Sequence, residues 1–333
     1  MLGHILAWPE LFASGYATAM KLPPRLRRAG RIVMCGMGGS GIGASLATDY
    51  LADTLTVPCT VHRDYGVPTF VDERTLVICI SHSGNTEETL AAYAEARKRK
   101  ARVLAVTTGG TLAERARTDK QPSIVHASDL PPRAATPYDF GLLLKVLAVL
   151  GFAPDQSGET AAAADHLRQL AKTVSSTERN LSVELAQRLH GRIPIIYGAG
   201  FLAEAGRRFK GQLAENAKQT AAWDVLPEHN HNALVGLEYP DSLREQAIFV
   251  LLRSDLEQAR HALRFEFVKE QLDKRHLPHV TIQGTGPNRL GHLVSAVFWG
   301  DLASCNLAGL NGVDPTPNEV IDELKARLAE DPL

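Results

Sequence analysis

Short apolar runs alternate along the chain with longer stretches in which apolar positions recur every three or four residues. In the first half the runs fall at 31–35, 57–61, 76–80, 102–106 and 124–125; in the second they fall at 192–197, 248–252 and 280–283. All but the two-residue run at 124–125 have the length of a buried strand. The periodic stretches predict helices over 87–100, 138–150, 160–174, 180–189, 256–275, 292–307 and 318–328, with two more entered from glycine turns at 36–43 and 198–200. Trp8, Leu11, Phe12 and Tyr16 share one helical face ahead of Pro23-Pro24, a lead-in helix for the first domain. Strand and helix in alternation predict an α/β chain with parallel sheets and right-handed crossovers. The order strand, glycine turn, helix returns in the second half, so two sheets of similar topology are expected, each flanked by helices in a three-layer αβα sandwich. The punctuation at 154–159 divides the chain into domains 1–153 and 154–333.

Composition narrows the partners. The 333-residue chain balances 36 Lys and Arg against 37 Asp and Glu, so no charge excess draws it to nucleic acid or an anionic membrane. Cys35, Cys59, Cys79 and Cys305 lack metal-type spacing and lie in predicted strands or a helix, as buried thiols in a reducing compartment do. No signal peptide is visible at the N-terminus and no run of eighteen apolar residues is long enough to span a bilayer, so a soluble cytoplasmic protein is expected.

Candidate chemistry begins after the 76–80 strand, at Ser81-His82-Ser83-Gly84-Asn85-Thr86, where Thr86 is placed to cap a helix starting at Glu87. Free N–H groups at a helix start, beside three hydroxyls, form a receptor for an oxyanion such as a phosphate monoester; an ordinary capped loop uses the same residue types. The earlier turn, Gly36-Met37-Gly38-Gly39-Ser40-Gly41, lets a ligand approach the backbone. It matches GxGxxG, but the 57–61 strand leads into His62 and Arg63 where a ribose-binding acid belongs, so no nicotinamide cofactor is expected. Both turns belong at strand carboxyl ends, where parallel sheets bind ligands. Pro131-Pro132-Arg133 presents an arginine from a rigid loop, as a substrate contact or a solvated charge. Further on, a helix carrying Lys210, Glu215, Asn216 and Lys218 leads to a loop over 223–232 with His229 and His231. Two histidines without a third ligand predict no metal. A carboxylate and an imidazole at one sugar-like substrate can shift a proton between adjacent carbons and manage oxygen protonation; a salt-bridged helix face and a fold-supporting histidine are the alternatives.

The glycine turn and the stretch 81–89 together resemble the sugar isomerase (SIS) fold, whose serine and threonine turn binds sugar phosphates. Pro132-Arg133, Glu215-Asn216-Ala217-Lys218, Asn230-His231-Asn232 and Ile321-Asp322-Glu323-Leu324-Lys325 extend the resemblance across both halves to one branch, the bifunctional phosphoglucose/phosphomannose isomerases. The resemblance implies two SIS-like domains and an aldose–ketose isomerase that interconverts glucose 6-phosphate or mannose 6-phosphate with fructose 6-phosphate through a cis-enediol, with no metal or nucleotide cofactor. It implies that Ser40, Ser81, Ser83 and Thr86 hold the phosphate beside the backbone of Gly38 and Gly39, that Arg133 stabilises the enediolate, and that Glu215 shuttles the proton between C2 and C1. It further implies that His231, from the partner subunit of a homodimer, opens the pyranose ring with help from Lys325. His82 stands where the family usually has an aromatic residue, and Ala233 where the branch tends to have an acid; each is a place for altered sugar choice, and a charged His82 would add to the phosphate site. A non-catalytic sugar-phosphate-binding regulator and an isomerase for a different phosphosugar are the alternatives, and retention of Glu215, His231, Lys325 and Arg133 together favours catalysis.

Overall fold

The computed structural model describes residues 1–176 and 180–330. Its first sheet comprises β1 (Arg31–Cys35), β2 (Cys59–His62), β3 (Thr75–Ser81), β4 (Arg102–Thr107) and β5 (Ser123–Val125), in the order β2-β1-β3-β4-β5. The second comprises β6 (Ile193–Ala199), β7 (Ala222–Leu226), β8 (Ala247–Arg253) and β9 (His279–Gln283), in the order β7-β6-β8-β9. Every pairing is parallel. The second sheet thus repeats the first four strands of the first, as the recurring glycine turn led one to expect. All of β3 is buried, and so is β8 up to its last residue, which is why both read as unbroken apolar runs.

Helices α1 (Leu2–Leu6) and α2 (Trp8–Ala17) precede the first sheet. Within it, α3 (Gly38–Tyr50), α4 (Glu87–Lys98) and α5 (Gly110–Thr118) are the crossovers, and α6 (Pro132–Val149) follows. Next come α7 (Ser157–Ser176) and α8 (Leu181–Leu189), then α9 (Ala203–Ala217), α10 (Leu243–Gln246) and α11 (Ala259–Lys274) among the strands of the second sheet. The chain continues through α12 (Arg289–Leu310) and α13 (Glu319–Glu330). One apolar core, with Phe12, Phe140, Phe209, Phe298 and Leu302 fully buried in it, runs between the two sheets, while the outer face of each sheet has a smaller core of its own.

Several elements depart from the sequence reading. The lead-in helix α2 packs along α6, but it also reaches α7, and Trp8 Nε1 donates to Asp301 Oδ2 on α12 at 3.2 Å, so it belongs to both halves. Pro131 and Pro132, read as part of a rigid loop, instead start α6 as its N-cap and first residue, because a proline in the first turn needs no N–H partner. The 223–232 segment is not all loop: β7 occupies its first residues as a half-exposed edge strand whose Asp224 breaks the apolar run. Helix α5 was unread because only Leu112 and Ala116 of its residues are buried. Finally, α12 is long and apolar enough to cross a membrane by length and composition, although none was expected; it is mostly buried against α7, α8 and α9 and forms the spine of the core.

Candidate active site

Two turns meet at the carboxyl ends of β1 and β3. The glycine stretch enters α3 directly at Gly38, at φ +50°, so what read as a turn forms the opening of the helix. Gly39 presses on α6: a Cβ there would stand 2.6 Å from the Pro132 carbonyl oxygen and 2.9 Å from Thr136 Oγ1, too close for any side chain. Ser40 follows, buried. In the second turn Ser81 Oγ lies 2.8 Å from Thr86 Oγ1 and accepts the Gly84 N–H at 3.1 Å, while Ser83 Oγ accepts the Asn85 N–H at 3.2 Å. Thr86 holds the N-cap position of α4, yet its hydroxyl faces Ser81 and makes no bond to the helix amides. Those amides are therefore available to an incoming acceptor.

His82 points away from this cluster. Its Nε2 donates to the Leu130 carbonyl at 2.9 Å, which leaves Nδ1 as the bare nitrogen, buried without a partner. Burial lowers its pKa, so the extra positive charge expected of it is not supplied. The contact ties the serine turn to the segment entering α6.

Arg133 sits in the first turn of α6 and is only 5% exposed, which corrects its reading as a loop residue and excludes the solvated-charge alternative. Its Nε donates to Asn216 Oδ1 at 2.9 Å, Nη2 donates to the carbonyls of Pro315 and Thr316 at 2.6 and 2.8 Å, and Nη1 lies 3.6 Å from Glu215 Oε2. Burial lowers its pKa and the Glu215 charge opposes that, but a guanidinium keeps its proton at any physiological pH. Glu215, in the last turn of α9, accepts from Asn318 Nδ2 at 2.9 Å, and Lys218 Nζ donates to the Glu215 and Pro317 carbonyls at 2.6 Å each. Residues 315–318 therefore form a strap across the arginine–glutamate pair. Asn216 and Lys218 stood in the sequence as motif neighbours without a role, and Asn318 had no signal beyond heading the last helix.

Two buried pairs support these groups. Arg208 on α9 bonds Asp301 on α12 through Nε at 3.0 Å and Nη2 at 2.9 Å, and also donates to Thr136 Oγ1 and the Arg133 carbonyl, fixing the head of α6. Asp139 on α6 lies 3.6 Å from His126 Nε2. Burial pushes Asp139 up to about 7 against the pull of the Ser40 hydroxyl, and burial pushes His126 down to about 4. Between those values both groups are uncharged, so their contact is not an ion pair.

His231 and Lys325 are both exposed, His231 at the end of the turn Glu228–His231 and Lys325 on α13, with Nζ 3.2 Å from Asp322 Oδ1. Among the described residues, no hydrogen bond or ion pair joins either to Glu215, Arg133 or the serine turn. His229, by contrast, is fully buried, its Nδ1 3.1 Å from Asp224 Oδ2 and its ring 4.2 Å from that of Tyr197. The two histidines face different surroundings.

The family described as the bacterial phospho-glucose isomerase C-terminal SIS domain matches residues 178–328, and the SIS domain matches residues 25–127. The bifunctional phosphoglucose/phosphomannose isomerase of Caldicellulosiruptor bescii is 39% identical over 304 residues, covering 90% of this chain and 90% of that one. The chain belongs to this family of SIS-domain isomerases. A D-glucosamine-6-phosphate 4-epimerase of Sulfolobus acidocaldarius is also similar, 30% identical over 249 residues that cover 74% of this chain and 76% of the relative. The tagatose-6-phosphate ketose/aldose isomerase of Escherichia coli shares the fold, with a TM-score of 0.70 at 17% identity over 95% of this chain and 94% of its own. In this member of the phosphoglucose/phosphomannose isomerase family, the glycine turn with Ser40 packs on the head of α6, where Arg133 faces Glu215 of α9, and His82 ties the serine turn to the segment entering α6.

Proposed function

We propose that this phosphosugar isomerase interconverts glucose 6-phosphate or mannose 6-phosphate with fructose 6-phosphate. One observation carries the reading: the Arg133–Glu215 pair lies beside the glycine turn that carries Ser40, through the contact of Gly39 with the head of α6. An anion held at the turn puts the far end of a hexose chain toward a carboxylate and a fixed cation. The hydroxyls of Ser40, Ser81, Ser83 and Thr86, with the Gly38 and Gly39 backbone and the α4 amides, bind the phosphate. The Glu215 carboxylate takes the proton from C2 of the open-chain aldose; that electron pair forms the C1–C2 double bond as the C1 oxygen gains a proton. The same carboxyl returns its proton to C1 while the C2 hydroxyl loses one, which leaves the ketose. Arg133 stabilises negative charge on the enediolate oxygens, and its burial strengthens that effect. No metal or nucleotide enters any step.

His231 opens the ring from the partner subunit of a homodimer, its exposure leaving it available to a neighbouring copy, and Lys325 assists. The chain works as domains 1–153 and 154–333 in the cytoplasm. A different phosphosugar is the second reading, favoured by the similarity to an epimerase of glucosamine 6-phosphate. A coupled assay starting from fructose 6-phosphate, run beside glucosamine 6-phosphate, tests both. Formation of both aldoses is expected; folded protein that binds fructose 6-phosphate and yields neither would sink the isomerase reading.

A further inference from the structure

Two helices begin side by side at the carboxyl ends of β3 and β4, α4 at Glu87 and α5 at Gly110. A helix start offers N–H groups and the positive end of the dipole, so an anion reaching this end of the first sheet meets two such starts. The chain treats them differently. Gly109 holds the N-cap position of α5 and has no side chain with which to cap it. Asn85 caps it from the neighbouring turn: its Oδ1 accepts the Thr111 N–H at 3.0 Å, while the Gly84 carbonyl accepts the Leu112 N–H at 2.9 Å. Helix α4 has no side-chain cap, since the Thr86 hydroxyl is turned to Ser81.

The same contacts clamp the serine turn onto the β4–α5 turn. Thr108 donates to the His82 carbonyl through its N–H at 3.2 Å and its hydroxyl at 2.6 Å. Gly84 and Gly110, at φ +70° and +64°, meet the opposite backbone directly; a Cβ on Gly84 would collide with the Gly109 carbonyl oxygen, and one on Gly110 with that of Ser83. Among the described residues of the serine turn, Asn85 is the one whose side chain bonds the β4–α5 turn. Its own N–H donates to Ser83 Oγ at 3.2 Å, as the Gly84 N–H donates to Ser81 Oγ at 3.1 Å. A serine oxygen that accepts from the backbone keeps its hydroxyl proton for a ligand. In the second half Glu257 precedes the N-cap Gln258 as Asn85 precedes Thr86, and its carboxylate is spent within its own turn on Arg253 at 2.7 Å.

We infer that Asn85 is a positioning residue for the substrate phosphate: it closes the start of α5, which leaves that of α4 to the anion, and it holds residues 83–86 against α5 so that their hydroxyls face the same ligand. The inference rests on the serine turn being the phosphate site. An amide suits the place because it accepts the Thr111 N–H without setting a negative charge beside the phosphate.

Calorimetric titration of the full chain with inorganic phosphate and with fructose 6-phosphate tests this apart from turnover. Asn85 is exposed, so its replacement leaves the core intact. Asn85→Ala should weaken both ligands about tenfold, and KM for fructose 6-phosphate should rise by the same factor with kcat within about twofold, the pattern of lost uniform binding. Asn85→Asp keeps the acceptor at a helix start that favours a carboxylate; in about 0.5 M salt, which screens the added charge, its phosphate affinity should return to within about threefold of the wild type. Full-strength phosphate binding in Asn85→Ala, beside weakened binding in the double change Ser81→Ala and Ser83→Ala, would overturn the role of Asn85 and leave the phosphate site standing. So would an Asn85→Asp variant as weak as Asn85→Ala. Unaltered phosphate binding in the serine variant would overturn the site and the inference together. A chain that meets these expectations in binding yet isomerises nothing upholds the role of Asn85 and overturns only the isomerase reading.

Discussion

After β3 the chain turns through Ser81, Ser83 and Thr86; after β8 it turns through Arg253, Asp255 and Gln258, at the same distance from the helix that follows. Strand order, crossover and the helix packed on the far side are shared. The difference that bears on a ligand lies in the residues of the two turns. The first turn offers hydroxyls and unspent amides to an anion, whereas the second offers carboxylates and an arginine already engaged by two glutamates. Topology sets where a ligand can lie in both halves, and a handful of residues sets which ligand it is.

That contrast can be broken at several points. Glu215→Gln should lower kcat by about 10²- to 10⁴-fold, the usual worth of a general base, with sugar-phosphate binding kept to within a few fold. Asp53→Asn, fifteen residues beyond Gly38 as Glu215 is beyond Gly200, should leave kcat unchanged, and equal losses from both would erase the distinction between the halves. Asp301→Ala strips the buried Arg208 of its carboxylate and should cost about 3–5 kcal/mol in urea unfolding, since an unpaired buried charge remains. A loss below about 1 kcal/mol would show that the two halves do not depend on this pair. Ser83→Ala should raise KM for fructose 6-phosphate about five- to tenfold through one lost hydrogen bond, with kcat nearly unchanged, while Asp255→Ala leaves KM as it was. A fall in kcat alone from Ser83→Ala would remove it from phosphate binding.

A pH-dependent effect is expected at Asp139. Its carboxyl ionises at about 7 in the folded chain and in the ordinary carboxylate range once unfolded, so between the two the folded state holds the extra proton and stability falls as pH rises. Asp139→Asn lacks that loss. Between pH 4 and 7 the wild-type Tm should therefore decline relative to the variant, and the gap should stay constant above that window; parallel curves throughout would refute the raised pKa.

The alternation of buried strands and helices was legible because β1, β3, β4 and β8 are covered on both faces and leave unbroken apolar runs. The edge strand β7 was not, since exposure on its open side lets Asp224 interrupt the pattern. Within the site, the serine turn stood out as hydroxyls at a strand end, whereas Glu215 was singled out only by the family resemblance. Nothing local could show that Arg133 would be buried against Asn216 and the 315–318 carbonyls, because those contacts join segments far apart in sequence. The pairing of Asp53 with Arg289 was hidden for the same reason. His82 was visible as an oddity, but its neutral, inward-bonded state follows from Leu130, a residue with no pattern of its own.

The strap over Arg133 also has a meaning in time. On the ribosome, α6 and α9 emerge well before Pro315 and Thr316, and until those two carbonyls arrive the guanidinium lacks two of its acceptors. A chain stalled just short of them can assemble both sheets and still leave a buried cation incompletely bonded beside Glu215. The order of synthesis is thereby written into the site itself: a stretch made nearly two hundred residues later sets the arginine in place.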